Sequence, residues 1–359
     1  MRCKCARRKQ QKDAGRAAKL LYQPHMASDS LKTLFHPFET GALDAPAAGS
    51  HALFLGAEPG FRLPEGFEAE LHCVQGFRPH FRALQSAGRN VAPRAEGDGY
   101  AMALVLAGRH RGQNEVWIAE ALERVAPGGA ILVAGGKEDG IASLRKRIDG
   151  LVPLVDALPK YHGIAFWLRR PEGTEAAAKL RTGNPPALVE NRFHTAPGMF
   201  SFDRIDAGSR LLAENLPDGI SGHVADFCAG WGFLAAGITD RFPDIKSLDL
   251  YEADFEALEA ARRNVPQASG FLWQDLIGEP VERRYDWVVM NPPFHQGRAA
   301  EPEIGRRLIE AAAKALKPGG RLVMVANRQL PYEAILSGAF AASQETARDN
   351  RFKVLLARK

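Results

Sequence analysis

The feature that most constrains the fold of this chain is an internal repeat. Residues 51–61 align without gaps on residues 223–233, and the segments 101–106 and 127–133 mirror the region between residues 285 and 323. A unit that occurs twice in one chain indicates a duplicated fold. Because each copy alternates apolar strand segments with helical ones, we predict an α/β protein of two tandem Rossmann-like domains.

The second copy contains a short strand, an acidic residue and a glycine turn that opens a helix. Asp226 lies in this strand and Gly230-Trp231-Gly232 in the turn. Such a turn is weak evidence alone, because many strand-to-helix turns need glycine. A second predicted strand, Ile245–Tyr251, leads to Glu252, which lies twenty residues beyond Gly232. At this spacing an acid reaches the ribose hydroxyls of an adenosine cofactor in a doubly wound sheet.

Two further predicted strands each end in a polar loop. Gly270–Trp273 leads to Asp275, placed to accept a hydrogen bond from an adenine amino group, and Tyr285–Met290 leads to Asn291-Pro292-Pro293-Phe294. Ligands of doubly wound sheets bind at the carboxyl edge of the strands. We therefore expect all four loops to meet in one crevice.

The Asn-Pro-Pro-Phe turn can accept hydrogen bonds but hardly donate them. Both prolines lack a backbone N–H and keep their carbonyl group. A planar base with an exocyclic NH2 group could donate to the Asn291 side-chain oxygen and the Pro292 carbonyl while it stacks on Phe294. Such stacking contributes roughly 1–3 kcal/mol. The turn therefore predicts a site that orients an amine toward an electrophile.

The order of these parts resembles the class I S-adenosylmethionine-dependent methyltransferases, and a closer resemblance covers residues 199–359. Over this range the chain is similar to the RsmC-type ribosomal RNA guanine-N2 methyltransferases. The similar segments are Phe200-Ser-Phe-Asp-Arg-Ile-Asp-Ala-Gly-Ser209, Asn291-Pro-Pro-Phe-His-Gln-Gly297, Val325-Ala-Asn327, Leu330-Pro-Tyr332 and Arg351-Phe-Lys-Val354. The glycine loop departs slightly, since Cys228 and Ala229 stand where relatives often carry Gly and Cys.

The resemblance implies a cofactor, a substrate and a set of site residues. The cofactor is S-adenosyl-L-methionine, and the expected reaction methylates the exocyclic N2 of a guanine in small-subunit (16S) ribosomal RNA. The implied catalytic residues are Asn291, Pro292, Pro293 and Phe294. The implied cofactor-binding residues are Asp206, Ser209, Asp226, Ala229, Gly230, Gly232, Glu252, Asp275 and Asn291.

The first copy lacks the residues on which this chemistry depends. Phe54 stands in place of Asp226, and Glu58 in place of Gly230. Residues 107–110, Ala-Gly-Arg-His, replace the Asn-Pro-Pro-Phe turn. We therefore expect a degenerate domain at 26–172, a linker and entry segment at 173–198 and a catalytic domain at 199–359. RsmC-type enzymes likewise resemble two methyltransferase domains of which the first is degenerate.

The charge of the chain is unevenly distributed. Residues 1–25 hold eight of the 47 basic residues and one acid, so the remainder has a net charge near −2 although the whole chain has +5. This basic extension is interpreted either as an RNA-binding arm or as a misassigned start, with Met26 as the true first residue.

Composition limits the other function classes. No apolar run approaches the ~20 residues that span a bilayer, so we expect no membrane partner and a cytoplasmic monomer. Cys73 and Cys228 are predicted to lie in strands, and Cys3-x-Cys5 has no second cysteine pair. We therefore expect no metal site.

Two alternatives to the ribosomal RNA interpretation stay open at this point. The same acceptor loop methylates other amino groups, such as a large-subunit rRNA guanine, a protein glutamine or a DNA adenine. A non-catalytic RNA chaperone with the same fold is the second alternative. The duplicated domain and a Phe rather than a Tyr at position 294 favour ribosomal RNA.

Overall fold

The computed structural model describes residues 28–293 and 301–359, without the side chains of Glu301 and Pro302. The basic extension 1–25 and Phe294 therefore lie outside the described residues. The chain forms two compact units. The first comprises the described residues up to Val74 together with Ala83–Val91 and Ala95–Ala178, and the second comprises Gln75–Arg82, Ala92–Arg94 and Lys179–Lys359.

The first half contains one sheet of seven strands. These are β1 (His51–Leu55), β2 (Glu70–Val74), β3 (Asn90–Ala92), β4 (Tyr100–Ala107), β5 (Val125–Gly136), β6 (Leu154–Lys160) and β7 (Gly163–Arg169). The helices are α1 (Asp29–Glu39), α2 (Arg78–Ser86), α3 (Arg111–Arg124), α4 (Ile141–Asp149) and α5 (Glu175–Thr182), with a 3-10 turn at Lys137–Asp139. The strand order is β3-β2-β1-β4-β5-β7-β6.

The second half begins with the hairpin β8 (Ala187–Val189) and β9 (Phe193–Thr195) and then repeats the same plan. Its sheet contains β10 (Gly222–Phe227), β11 (Ile245–Glu252), β12 (Gly270–Trp273), β13 (Tyr285–Met290), β14 (Leu316–Asn327), β15 (Ala342–Arg348) and β16 (Phe352–Arg358). Its helices are α6 (Ala207–Glu214), α7 (Phe233–Arg241), α8 (Phe255–Asn264), α9 (Glu301–Ala315) and α10 (Tyr332–Ala339). The order β12-β11-β10-β13-β14-β16-β15 matches that of the first sheet strand for strand.

The shared strand order confirms the predicted duplicated α/β fold. Both sheets are mixed. In the first sheet β1 runs parallel to β2 and β4, and β4 runs parallel to β5. In the second sheet β10 to β14 all run parallel, and in the two sheets β7 and β16 are antiparallel to their neighbours. Parallel strands are covered on both faces and read as continuous apolar runs. In the run Trp287–Met290, for example, every side chain is at most 4% exposed.

Within residues 28–293 and 301–359, no helix combines the length and the apolar character that crossing a bilayer requires.

Candidate active site at the carboxyl edge of the second sheet

Three neighbouring strands of the second sheet end at the same level. Phe227 of β10 pairs with Tyr251 of β11 and with Met290 of β13. The glycine loop, Glu252 and Asn291 follow these strands directly, so the register brings the three predicted loops to one edge of the sheet. Ala229 is buried in this loop, and its backbone N–H donates to the Tyr251 carbonyl at 3.0 Å.

The two loop glycines have different physical roles. Gly232 has φ +91°, is the N-cap of α7, and a Cβ atom there would lie 2.9 Å from Val265, the C-cap of α8. Gly232 thus permits close helix packing. At Gly230, with φ +53°, a Cβ atom would meet no atom within 4 Å. The surface above Gly230 is therefore open to a ligand, and Gly232, as the N-cap of α7, has no side chain that could cap the helix.

Glu252 ties the glycine loop to the end of β11. One carboxylate oxygen accepts a hydrogen bond from the Gly230 N–H at 2.7 Å, and the other accepts from the N–H groups of Ala253 and Asp254. Burial nevertheless raises the pKa of Glu252 to about 6. The oxygen that accepts from Gly230 has a second lone pair. The carboxylate thus keeps acceptor capacity for hydroxyl groups, and its contact with ribose stays a prediction.

Asp226 is a fully buried carboxyl group with unused hydrogen-bonding capacity. It has no exposed surface, and neither carboxylate oxygen has a hydrogen-bond partner of good geometry. Burial and the negative charge of Glu252 raise the pKa of Asp226 well above its ordinary value, and the Ala235 N–H only partly opposes this shift. Buried polar groups are nearly always satisfied. An unsatisfied carboxyl group beside an open glycine indicates a missing donor or cation.

Asn291 is held in one orientation by two acceptors. Its amide nitrogen donates to a carboxylate oxygen of Asp206 at 3.1 Å and to the Ser209 hydroxyl oxygen at 2.7 Å. A carboxylate cannot donate, so the nitrogen of the amide faces Asp206 and the oxygen faces away. This Asn291 oxygen is buried and has no partner. The arrangement leaves a directed acceptor at the end of β13.

Asp206 and Ser209 were predicted to bind the cofactor, and the structure places both on Asn291. Asp206 is also the N-cap of α6 and accepts from the Ser209 backbone N–H at 2.8 Å. Pro292, which follows Asn291, is buried and Pro293 is exposed.

Asp275 follows β12 and is engaged within its own loop. One carboxylate oxygen accepts from the backbone N–H groups of Ile277 and Gly278, both at 3.0 Å. The other lies 3.2 Å from the Arg82 guanidinium, which belongs to the same compact unit. Its predicted contact with adenine stays a prediction, and these partners hold the carboxylate at the edge of the sheet.

Two further residues of the glycine loop are Trp231 and Cys228. Trp231 is buried, packs on Phe193 and Phe233, and donates to the Phe200 carbonyl at 3.0 Å. Cys228 was predicted to lie in a strand, and this is wrong. The residue lies in the turn with φ +60°, a region that favours glycine. The signal in the sequence was that relatives often carry Gly there.

The corresponding positions of the first copy are filled by its own side chains. Phe54, in place of Asp226, is fully buried against Phe35 and Phe61. Burial raises the pKa of Glu58, which stands in place of Gly230 and accepts from the Ser28 hydroxyl at 3.2 Å.

The loop after β4 is closed by a side chain as well. The Asn114 amide accepts from the Gly108 N–H at 2.9 Å and donates to the Gly108 carbonyl at 2.7 Å. The backbone N–H and carbonyl of Gly108, which takes the place of Pro292, are therefore satisfied internally.

Comparison with known proteins agrees with this geometry. Residues 190–356 match the methyltransferase small domain family. The ribosomal RNA small subunit methyltransferase C of Psychromonas ingrahamii is 29% identical over 66% of this chain and 70% of its own length. That of Photorhabdus laumondii is 30% identical over 64% of this chain and 68% of its own length.

A solved structure is similar over nearly the whole chain. The T. thermophilus 16S rRNA N2 G1207 methyltransferase (RsmC), in complex with AdoMet and guanosine, has a TM-score of 0.76 and 25% identity, covering 93% of this chain and 94% of its own. Together with the curated relatives, this match shows that the chain belongs to the family of the ribosomal RNA small subunit methyltransferase C proteins.

Proposed function

We propose that this protein transfers a methyl group from S-adenosylmethionine to the exocyclic N2 of a guanine in 16S ribosomal RNA. The proposal rests on the family and on one observation: Asn291 presents a buried, unpartnered amide oxygen whose direction Asp206 and Ser209 determine. An exocyclic NH2 group is the donor that such an acceptor fits.

The residues at the sheet edge fit the cofactor. S-adenosylmethionine carries an ammonium group, a sulfonium and ribose hydroxyls, which are cations and donors. The chain offers a buried carboxyl group, Asp226, and a half-buried one, Glu252, both with raised pKa values, beside the open surface of Gly230. A bound cation would lower the pKa of both groups. The N-terminus of α7, which has no side-chain cap, suits a carboxylate.

The role of the chain is to position the amine. When bound, S-adenosylmethionine supplies an electrophilic methyl group whose carbon–sulfur bond electrons leave with sulfur. The Asn291 oxygen and the Pro292 carbonyl accept hydrogen bonds from the N2 protons, which directs the nitrogen lone pair away from them. The alkylated amine is acidic enough to release its proton to water, so no buried base is required. The rate then derives from orientation.

The target guanine must be accessible from outside a duplex. Its N2 lies at a base edge, so the nucleotide must be unpaired or flipped out, at a cost of a few kcal/mol. The backbone carbonyl of Phe200 accepts from Trp231, so this residue lies close to the glycine loop. Its half-exposed ring is a stacking surface. Base–aromatic stacking offsets part of this cost.

The function is tested by mass mapping of 16S ribosomal RNA. We expect a strain that lacks the gene to lose one 2-methylguanine, and the wild-type gene to restore it. Asn291→Ala should not restore it. The matched control is Asn184→Ala, which alters the other Asn-Pro-Pro turn, where Asn184 donates to the Leu180 carbonyl. An unchanged modification pattern in the deletion strain would refute the proposed substrate.

A further inference from the structure

The first sheet brings two histidines and a glutamate together at the amino ends of its strands. His51 of β1 is the register partner of Glu70 of β2, and His72 lies two residues further along β2, on the same face as Glu70. His72 Nε2 lies 3.1 Å from one Glu70 oxygen, and His51 Nδ1 lies 3.5 Å from the other. We call these residues the His–Glu cluster, and it lies outside the proposed active site.

A tyrosine determines which nitrogen of His72 carries the proton. The Tyr100 hydroxyl donates to the Glu96 carbonyl at 2.6 Å and lies 3.0 Å from His72 Nδ1. Because a hydroxyl has a single proton, the oxygen of Tyr100 must accept from His72 Nδ1–H. The lone pair of Nε2 in the neutral ring then faces the carboxylate of Glu70. A cation that lies near both atoms would satisfy these two acceptors.

A second neighbour orients the carboxylate. The side-chain amide of Asn90 donates to a Glu70 oxygen at 3.0 Å. Partners of this kind, which hold a ligating histidine by its other nitrogen and a ligating carboxylate by a hydrogen bond, are characteristic of metal sites.

The second copy shows how the same place is neutralised by a protein cation. Equal strand registers put His223, Ser247, Asp249 and Tyr285 in the positions of His51, Glu70, His72 and Tyr100. There the Asp249 carboxylate accepts from Arg283 and from the Tyr285 hydroxyl, both at 2.7 Å.

The first copy has an acid where the second has that arginine. Asp98 occupies the position equivalent to Arg283 and lies 3.4 Å from Arg124. In the part of the chain that the structure describes, the ion pairs of Glu70 are with the two histidines.

We propose that His51, Glu70 and His72 bind a zinc ion. Two histidines and a carboxylate are a common zinc ligand set, with water in the fourth position. Ligands at ~2.0–2.1 Å from a tetrahedral ion are about 3.4 Å apart. One ligand atom from each residue of the cluster lies within 4.8 Å of the others. The half-exposed side chains of His51 and Glu70 can close the remaining distance by small rotations. Imidazole ligands favour zinc over calcium or magnesium.

The test is zinc binding by the full chain, purified without a histidine tag and stripped of metal. Cys3 and Cys5 are replaced by serine throughout, because thiolates also bind zinc. Competition with a chromophoric chelator measures affinity, and the visible absorption of Co²⁺ reports tetrahedral coordination. We expect one equivalent of zinc, an affinity at least tenfold lower in H51A, E70Q and H72A, and a tetrahedral cobalt spectrum that these variants lose.

Two further variants separate the site from general effects. His223→Ala removes the equivalent histidine of the second copy and should leave zinc affinity unchanged. Tyr100→Phe removes the acceptor that holds His72 and should weaken binding by about 10- to 100-fold. The proposal fails if the parent chain does not bind zinc, which would leave a His72–Glu70 ion pair alone. It also fails if E70Q and H72A bind zinc as the parent does.

Discussion

For single residues, the proposed methyl transfer depends on the orientation of the Asn291 side-chain amide. Asp206 can only accept, so the nitrogen of the Asn291 amide faces Asp206 and the oxygen faces away from it, toward the proposed substrate site. Reversal of the amide would present a donor to a donor. Asp206 is therefore a positioning residue in this account, whereas the sequence alone placed it among the cofactor ligands.

The two roles of Asp206 predict different kinetics. We expect Asp206→Ala to lower kcat at least tenfold with little change in S-adenosylmethionine affinity, and to cost about 1 kcal/mol of stability because α6 loses its N-cap. Asp206→Asn keeps a side-chain oxygen and should restore most of both. Ser28→Ala is the control, because Ser28 caps α1 in the same manner, so the unfolding loss should appear without a loss of kcat. A large rise in cofactor Kd with unchanged kcat would assign Asp206 to the cofactor instead.

Asp226 illustrates a conflict between stability and binding. Its folded-state pKa is raised above the unfolded value, so the folded protein holds this proton more tightly. The stability that Asp226 contributes is therefore present at low pH and declines as pH rises above 3.8, the ordinary value. At neutral pH the charge is unfavourable without a ligand.

From this sign we predict that Asp226→Asn raises the melting temperature of the cofactor-free protein, and that the gain is larger at pH 8 than at pH 4.5. The same variant should bind S-adenosylmethionine at least tenfold more weakly, since hydrogen bonds to charged groups contribute about 1.5–3 kcal/mol. Thermal unfolding and calorimetry measure the two effects. Asp249→Asn is the contrasting control, because Asp249 is paired with Arg283, and its variant should be less stable. A less stable Asp226→Asn protein at pH 8 would contradict the account.

At the scale of elements, the turn between β10 and α7 combines an open position with a closed one. Gly232→Ala should destabilise the fold by about 1–3 kcal/mol, because the residue has φ +91° and the new Cβ would lie 2.9 Å from Val265. Gly237→Ala, in the middle of α7, meets nothing within 4 Å and should stabilise by about 0.5–1 kcal/mol. Denaturant unfolding of both variants is the measurement. Equal effects of the two substitutions would refute the packing role of Gly232.

The sequence predicted the elements that carry the site better than the contacts within it. The strands at Gly270–Trp273 and Tyr285–Met290 end where they were expected, because buried parallel strands are short apolar runs bounded by polar residues. The turn at Cys228 was not predicted, because a cysteine gives no indication of a positive φ. The link from Asp206 to Asn291 joins residues 85 positions apart, and only the folded chain shows it.

For the whole molecule, we expect the duplicated fold to keep one cofactor site. The first copy repeats the strand order of the second, but Phe54 and Glu58 occupy the positions of the acid and the open glycine. We predict that calorimetry detects one S-adenosylmethionine site per chain. When Asp226→Asn is titrated with S-adenosylmethionine at concentrations near the wild-type Kd, the heat of binding should be small, because the first copy does not bind the cofactor. Two sites per chain would contradict the degeneracy of the first domain.

In the proposed reaction, Asn291 orients a guanine amine and does not hold the cofactor. The most direct measurement is single-turnover methyl transfer to 16S ribosomal RNA from cells lacking the gene, with S-adenosylmethionine affinity measured on the same preparations. The account predicts that Asn291→Ala reduces the transfer rate by 10²-fold or more, about 2.7 kcal/mol, while the cofactor Kd changes less than threefold. Transfer by the variant at the wild-type rate, or a loss explained entirely by weaker cofactor binding, would contradict it.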